Sequence, residues 1–366
     1  MTANCLACGG ILGDVLFTIE DLPLVDSFCA SLDQAQSVPR FSVEIRACNE
    51  CNTVQIASPP DTTSIYRNYI YDSSSSPDLQ AHFRDYANYI LNITGGTNIN
   101  LLEIGANDGL LLTQLKARGF NSMVAVDPSP QTANIAVEGV NIINDFFHKN
   151  SVSSLEAGSF DIIIANNCFS HIPNLTEVLR LCKYLLTQSG TILIEVQSTL
   201  DLVNDCIFDY IYHEHYFYHT ASSFQKLAEM AGLELYRVDH VPTKGGSYRL
   251  LLGYPSSHKI HSSLKYWIYR ESISCISSPD TWKFLEEYLL AVKESLADWL
   301  LSNHSGKIYA YGASATSTVF LQYMEIEKYI HAIVDDNPKR QGLYAPGSGL
   351  KVVDSSHLRN AKACLL

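Results

Sequence analysis

The stretch Leu101-Leu102-Glu103-Ile104-Gly105-Ala106-Asn107-Asp108-Gly109 decides the fold. Its apolar start reads as a strand buried on both faces, because no polar residue alternates with Leu101 and Leu102. Gly105 and Gly109 bracket a loop whose backbone must bend and let a ligand approach closely. Residues 110–117 have helical spacing, and Met123-Val124-Ala125-Val126-Asp127 is the next strand, ending in an acid. This strand-loop-helix-strand unit predicts an α/β fold with a doubly wound sheet, whose ligands lie beyond the carboxyl ends of the strands. Asp127, at the tip of the second strand, is placed to accept hydrogen bonds from both hydroxyls of a ribose. The loop reads E-x-G-x-N-x-G rather than G-x-G-x-x-G, which disfavours a dinucleotide.

That loop resembles the first motif of the class I S-adenosylmethionine-dependent methyltransferases. The resemblance implies that Glu103, Gly105, Asn107, Gly109 and Asp127 hold S-adenosylmethionine. Asn144-Asp145-Phe146-Phe147 would bring Asp145 to the adenine amino group and stack a ring. A third strand over 160–165 leads into Asn166-Asn167 and His171, a helix follows over 175–186, and a further strand ends at Glu195. Upstream, Leu79, Phe83, Tyr86, Ala87 and Ile90 predict a helix over 78–91.

Beyond Glu195 the sequence turns to proton-transfer chemistry. Tyr212-His213-Glu214-His215 puts a phenol, a carboxylate and two imidazoles in four consecutive positions. Histidine titrates near neutral pH and is the usual general base. A neighbouring carboxylate orients an imidazole, and a tyrosine hydroxyl donates to an oxyanion. The run lacks the i, i+4 spacing of a helical metalloprotease site, which argues against a metal there.

The N-terminal part carries two C-x-x-C knuckles, Cys5/Cys8 and Cys48/Cys51. Four thiolates with no open position describe a structural Zn²⁺ site. The same spacing serves a redox pair, but no βαβ pattern flanks either knuckle. The remaining six of the ten cysteines are scattered and read as small buried hydrophobes. Hydrophobic residues make up 46% of the 366, enough for two or three domains with their own cores. A net charge of -13 argues against a nucleic-acid partner. With no apolar run of spanning length and no basic, apolar leader, the sequence predicts a cytoplasmic protein without a membrane partner.

Residues 280–301 predict a long amphipathic helix packed through Phe284, Tyr288, Val292, Leu296 and Trp299 or Leu300. A strand at 307–311 then opens into Gly312-Ala313-Ser314, and a second strand ends at Asp335, repeating the strand-acid pattern. Helix N-termini favour phosphate, so this second doubly wound unit suits a nucleotide.

Taken together, the chain resembles the sugar C-methyltransferases, which act on nucleotide-linked deoxysugars. The resemblance rests on the paired knuckles, Tyr71-Asp72-Ser73-Ser74, EIGANDG at 103–109, ANNCFSHIPNL at 165–175 and FDYIYHEHYFY at 208–218. It continues through GGSYR at 245–249, YGASA at 311–315 and VDDNPKRQGLYAPGS at 334–348. It implies a small zinc-binding domain over 1–75, a class I methyltransferase Rossmann-like domain over 76–240, and a second Rossmann-like, nucleotide-sugar-binding domain over 241–366. The substrate would be a nucleoside diphosphate 4-keto-6-deoxy sugar methylated at C-3. His215 would be the base, with Tyr212, Glu214, Tyr71 and His171 beside it, and Asn166 on the cofactor side. Lys244, Gly246, Ser247, Arg249, Gly312, Ala313, Ser314, Asp335 and Asn337 would hold the substrate, in a chain able to act as a monomer. The chain departs from the family at Thr316-Ser317, where Lys-Gly is usual, and at Lys244, where His is usual. Lys339 or Arg340 would then supply the missing cation. Relatives continue past Leu366, so the last unit is expected to be truncated. The alternatives are O- or N-methylation of another metabolite, or nucleotide-sugar binding without catalysis.

Overall fold

The computed structural model describes residues 3–60, 73–75, 77–303, 306–360 and 363–365. The N-terminal part is built on a long strand β1 (Leu12–Pro23), a short helix α1 (Leu32–Gln36), β2 (Arg40–Cys48) and β3 (Val54–Ile56). β1 and β2 pair antiparallel along their length, with Leu12 opposite Cys48, and β2 turns into β3 with Ala47 opposite Val54. All three residues of β3 are buried.

The central part begins with α2 (Pro77–Thr94), which buries the expected face of Phe83, Tyr86, Ala87 and Ile90. There follow β4 (Asn100–Ile104), α3 (Leu110–Lys116), β5 (Ser122–Val126), β6 (Val140–Ile143), β7 (Phe160–Asn166), α4 (Leu175–Leu185), β8 (Leu186–Gln197) and α5 (Thr199–Asn204). After β9 (Phe217–Tyr218) come α6 (Ala221–Ala231), β10 (Glu234–Val241) and β11 (Ser247–Gly253). The seven-stranded sheet has the order β10-β11-β8-β7-β4-β5-β6, and β11 alone runs antiparallel to its neighbours. Leu101, Leu102, Ile162, Ile163 and Ile164 are fully buried, because α2 and α3 cover one face while α4 and α6 cover the other. β11 lies between β8 and β10, so this sheet continues to Gly253, past the division expected at residue 240. β9 stays out of it. That strand pairs with β3, Val54 opposite Tyr218 and Gln55 opposite Phe217, and completes the N-terminal sheet.

The C-terminal part contains α7 (Ser262–Ser274), α8 (Pro279–Asn303), β12 (Ile308–Tyr311), α9 (Ala315–Met324), β13 (Ile330–Val334), β14 (Val352–Val353) and β15 (Ala363–Leu365). Its four strands are parallel in the order β14-β13-β12-β15. α8 forms as expected, and Val292, Leu296 and Leu300 of the expected face pack inward, but its first turns present a different face. Trp282, Leu285, Leu289 and Leu300 are buried, while Phe284 is 71% and Tyr288 49% exposed. Apolar residues at helical spacing lie on both sides of this helix. The buried stripe is the one that meets β1, where the Trp282 and Phe17 rings approach to 6.1 Å. The scattered cysteines also differ from expectation among the described residues: Cys182 is buried, Cys29, Cys168 and Cys206 are half-buried, and Cys275 is exposed at the left-handed end of α7.

Candidate active site

A cavity of about 1020 Å³ opens beyond the carboxyl ends of β4, β5 and β7. Glu103, Gly105, Asn107, Asp127, Phe146 and Asn166, all expected on the cofactor side, line it. Gly105 has φ +77°, and a Cβ there would stand 2.8 Å from the Cβ of Cys168, so a side chain finds no room. The amide of Asn107 donates to one carboxylate oxygen of Asp127 at 3.0 Å, and the amide of Ser129 donates to the other at 2.7 Å. Glu103 is buried, and its Oε2 has no hydrogen bond. Burial, reinforced by Asp127 and Asp108, pushes its carboxyl well above the ordinary range. A buried carboxyl of this kind is completed by a ligand that brings a donor or a positive charge. Gly109 stands at the head of α3 with φ +75°. Asp145 accepts from the Phe146 amide at 2.9 Å and faces His148.

The acid-base run is a tight turn fixed from several sides. Nδ1 of His215 lies 2.9 Å from the carbonyl oxygen of Tyr210, and Nε2 lies 2.9 Å from the Tyr212 hydroxyl. A carbonyl only accepts, so Nδ1 carries the hydrogen and Nε2 of the neutral ring accepts from Tyr212. Burial, with the His171 ring at 4.9 Å between centroids, holds His215 well below the usual imidazole range. His171 lines the cavity and donates from Nδ1 to the Glu214 carbonyl at 2.7 Å, and burial lowers its pKa to about 4. The Glu214 side chain is buried, and burial with nearby Asp26 raises its pKa to about 8. His213 is structural: it is buried and bonded to the Phe41 carbonyl at 3.1 Å. Tyr71 lies outside the described residues.

Of the residues expected to hold the substrate, Lys244 lines the cavity. Arg249 does not. Its Nε donates to Glu195 at 2.7 Å, and its guanidinium lies over the Tyr86 ring at 4.3 Å. The other Glu195 oxygen is 2.7 Å from Nε2 of His82. This buried His82–Glu195–Arg249 group was not foreseen, and no local motif announces it, because its members come from α2, β8 and β11. A Cβ at Gly246 would stand 2.5 Å from Cγ of Asp201, and the Ser247 hydroxyl donates to the Thr243 carbonyl at 2.9 Å.

In the C-terminal unit the loop after β12 repeats the cofactor-side geometry. Gly105 donates to the Val126 carbonyl at 2.8 Å, and Gly312 donates to the Val334 carbonyl at 2.7 Å. Asp335 accepts from the amides of Ala313 and Asn337, each at 2.7 Å, as Asp127 does from Asn107 and Ser129. Gly312 has φ +97° with open space where a side chain would be, and Ser314 caps α9. Arg340 turns toward the N-terminal part instead, 3.4 Å from Asp26 and over the Phe28 ring.

The four knuckle cysteines meet. All four sulfurs lie within 4.8 Å of one another, with Cys5–Cys51 and Cys8–Cys48 each at 3.7 Å. Tetrahedral zinc with bonds of about 2.3 Å separates its sulfurs by roughly 3.8 Å. Amides of Gly10 and Glu50 point at the sulfurs of Cys8 and Cys48, each at 3.4 Å, which favours thiolates.

Residues 78–238 match the family described as a methyltransferase domain, and residues 242–365 match the C-methyltransferase C-terminal domain. C-methyltransferase NovU of Streptomyces niveus is 24% identical over 95% of this chain and 85% of its own length. The chain is an S-adenosylmethionine-dependent C-methyltransferase. A ubiquinone biosynthesis O-methyltransferase of Xanthomonas oryzae pv. oryzae is 29% identical over 32% of this chain and 48% of its own. Among solved structures, the Burkholderia thailandensis 1,6-didemethyltoxoflavin-N1-methyltransferase is 18% identical, with a TM-score of 0.39 over 55% of this chain and 94% of that one.

In this C-methyltransferase the cysteine unit reaches both walls of the cleft. Carbonyls of Leu6 and Ala7, inside the first knuckle, accept from the amides of Asn174 at 2.7 Å and Thr176 at 3.1 Å, just beyond His171. β3, just beyond the second knuckle, holds β9 and so the end of the acid-base turn. Among the described residues, no helix is long and apolar enough to cross a membrane.

Proposed function

We propose that this C-methyltransferase acts at C-3 of a nucleoside diphosphate 4-keto-6-deoxy sugar, a small-molecule partner, after His215 has removed the C-3 proton. The observation that carries this reading is the neutral His215, its basic Nε2 turned to a tyrosine hydroxyl and its ring against cavity-lining His171. A carbon next to a ketone loses its proton because the electron pair moves onto the carbonyl oxygen. Tyr212 is the donor nearest the base, since the one N–H of neutral His171 is committed to the Glu214 carbonyl. When the Tyr212 hydroxyl turns from Nε2 toward a developing oxyanion, the same motion uncovers the base. The neutral Glu214 would stand beside the base, and the resemblance adds Tyr71 as a further catalytic residue.

S-adenosylmethionine supplies an electrophilic methyl group carried on a sulfonium. Glu103, Gly105, Asn107, Gly109, Asp127, Asp145, Phe146 and Asn166 would hold it, Asp127 at the ribose and Glu103 at a donor group. The second loop with its acid, from Gly312, Ala313 and Ser314 to Asp335 and Asn337, would take the nucleotide of the substrate. Its likeness to the Asp127 loop supports that assignment. Zn²⁺ bound by Cys5, Cys8, Cys48 and Cys51 would be structural. Action as a monomer is part of this reading.

The test is incubation with thymidine diphosphate 4-keto-6-deoxyglucose in deuterium oxide, without methyl donor, reading C-3 exchange by mass spectrometry. Exchange that disappears in His215→Asn is the expected result. No exchange with this or the guanosine analogue, in protein that binds S-adenosylhomocysteine, would overturn the substrate assignment.

A further inference from the structure

Lys244 has a backbone that side chains rarely adopt, φ 55° and ψ 38°, directly before Gly245 and Gly246, which also have positive φ. Such an outlier carries a steric cost that the surrounding structure must impose. Here the turn is held at three points. The Thr243 hydroxyl bonds Nδ1 of His82 at 2.9 Å, Gln197 donates to the Lys244 carbonyl at 3.2 Å, and Ser247 donates to the Thr243 carbonyl at 2.9 Å. Nε2 of His82 is committed to Glu195, so the turn is anchored to the buried His82–Glu195–Arg249 group.

The anchored turn delivers the Lys244 side chain to the cavity wall that His171 also lines. Among the described residues its ammonium has no hydrogen bond or ion pair. Glu195, whose charge favours the ammonium, is already taken by Arg249 and His82. Burial lowers the Lys244 pKa, and its charge in turn opposes protonation of both His171 and His215. A fixed cation without a protein anion, beside two neutral histidines, has a place for a negative charge that the resting site does not contain.

We propose that Lys244 is a catalytic residue whose ammonium accepts the negative charge on the substrate carbonyl oxygen as the neighbouring carbon loses its proton. The proposal rests on the ketosugar reading above. In the step, the C–H bond breaks and its proton goes to Nε2 of His215. The electron pair forms the new C=C bond, and the carbonyl π pair moves onto oxygen. The site then holds an imidazolium and an oxyanion, and Lys244 faces the latter. A histidine at this position donates one hydrogen bond, whereas a lysine supplies a full charge.

The test compares full-length wild type with Lys244→Met, Lys244→Gln and Lys244→Arg. It measures C-3 exchange of saturating thymidine diphosphate 4-keto-6-deoxyglucose in deuterium oxide, the kcat and KM of methyl transfer, and S-adenosylhomocysteine binding by calorimetry. Removing the charge should slow exchange and kcat about 10²-fold or more, as loss of one oxyanion donor does. Cofactor binding should persist, and the arginine variant should recover part of the rate. Wild-type exchange at saturation in the methionine or glutamine variant, with only KM raised, would overturn the proposal and leave Lys244 gripping the diphosphate. Absence of exchange in the wild type would instead bring down the ketosugar reading, and this proposal with it.

Discussion

The hydroxyl of Tyr212 lies 2.9 Å from Nε2 of His215, so the lone pair proposed as the base is met by the phenol beside it. The pairing follows from the Tyr210 carbonyl, which fixes the hydrogen on Nδ1. His215→Asn should stop C-3 exchange and methyl transfer, a loss of about 10²–10⁴-fold for a general base. Binding of S-adenosylhomocysteine should change little. Tyr212→Phe should leave the base uncovered yet slow transfer, because the donor to the oxyanion is gone. Steady-state kinetics of both variants check this, and full turnover in His215→Asn would move the base elsewhere, with His171 the nearest candidate.

Glu214 gives a prediction of pH-dependent stability. Its carboxyl ionises near 4.5 when unfolded and near 8 in the folded chain. Between those values the folded state keeps a proton that the unfolded state has released. The stability this group contributes is therefore complete below pH 4.5 and is lost as pH rises to 8. Glu214→Gln removes the loss. Against wild type, the variant should gain stability from pH 5 to pH 8, by on the order of a few kcal/mol. Urea midpoints at the two pH values measure it, and parallel curves would mean that Glu214 is ionised in the folded protein.

Arg249 separates a structural role from substrate binding. It is buried on Glu195, which is wholly buried and bonded otherwise to His82. Arg249→Met should cost about 3–5 kcal/mol, the usual result of leaving one member of a buried ion pair alone. Adding Glu195→Gln should recover part of that. The KM for the sugar should hold in whatever folds. A normal melting temperature with a raised KM would return Arg249 to the substrate.

The cysteine centre predicts where damage from metal loss travels. Purified protein should carry one equivalent of zinc, and Cys48→Ser should lose it. The sheet face covered by α2 and α3 packs in a core that contains no knuckle residue and should keep its protection. Segments around His171 and Tyr218 should instead exchange amide hydrogens faster, because Leu6, Ala7 and β3 hold them. Hydrogen-exchange mass spectrometry resolves the two responses, and uniform loosening would mean that the knuckles support the whole chain rather than the cleft.

Much of this molecule was legible because its signals are local. The run from Leu101 to Gly109, the acid at Asp127 and the repeat ending at Asp335 each depend on residues adjacent in sequence, and they appear where they were expected. Val292, Leu296 and Leu300 of α8 pack inward as expected, but its first turns were misread because Phe284 and Tyr288 repeat at helical spacing as well as Trp282, Leu285 and Leu289 do. Periodicity names the helix but not its neighbour. Arg249 carries no sign of Glu195, its partner across two paired strands. The tautomer of His215 depends on a backbone carbonyl, which no residue type announces.

The pairing of β3 with β9 has a consequence for synthesis on the ribosome. Val54 and Ile56 emerge early, and the strand that covers their open edge, at Phe217–Tyr218, emerges only after the parallel strands β4 to β8 of the cofactor-binding sheet. Until then the nascent chain presents a short apolar strand edge of the kind that recruits other chains. The same holds for a fragment cut at residue 75, which would keep its four clustered cysteines but lose its fourth strand.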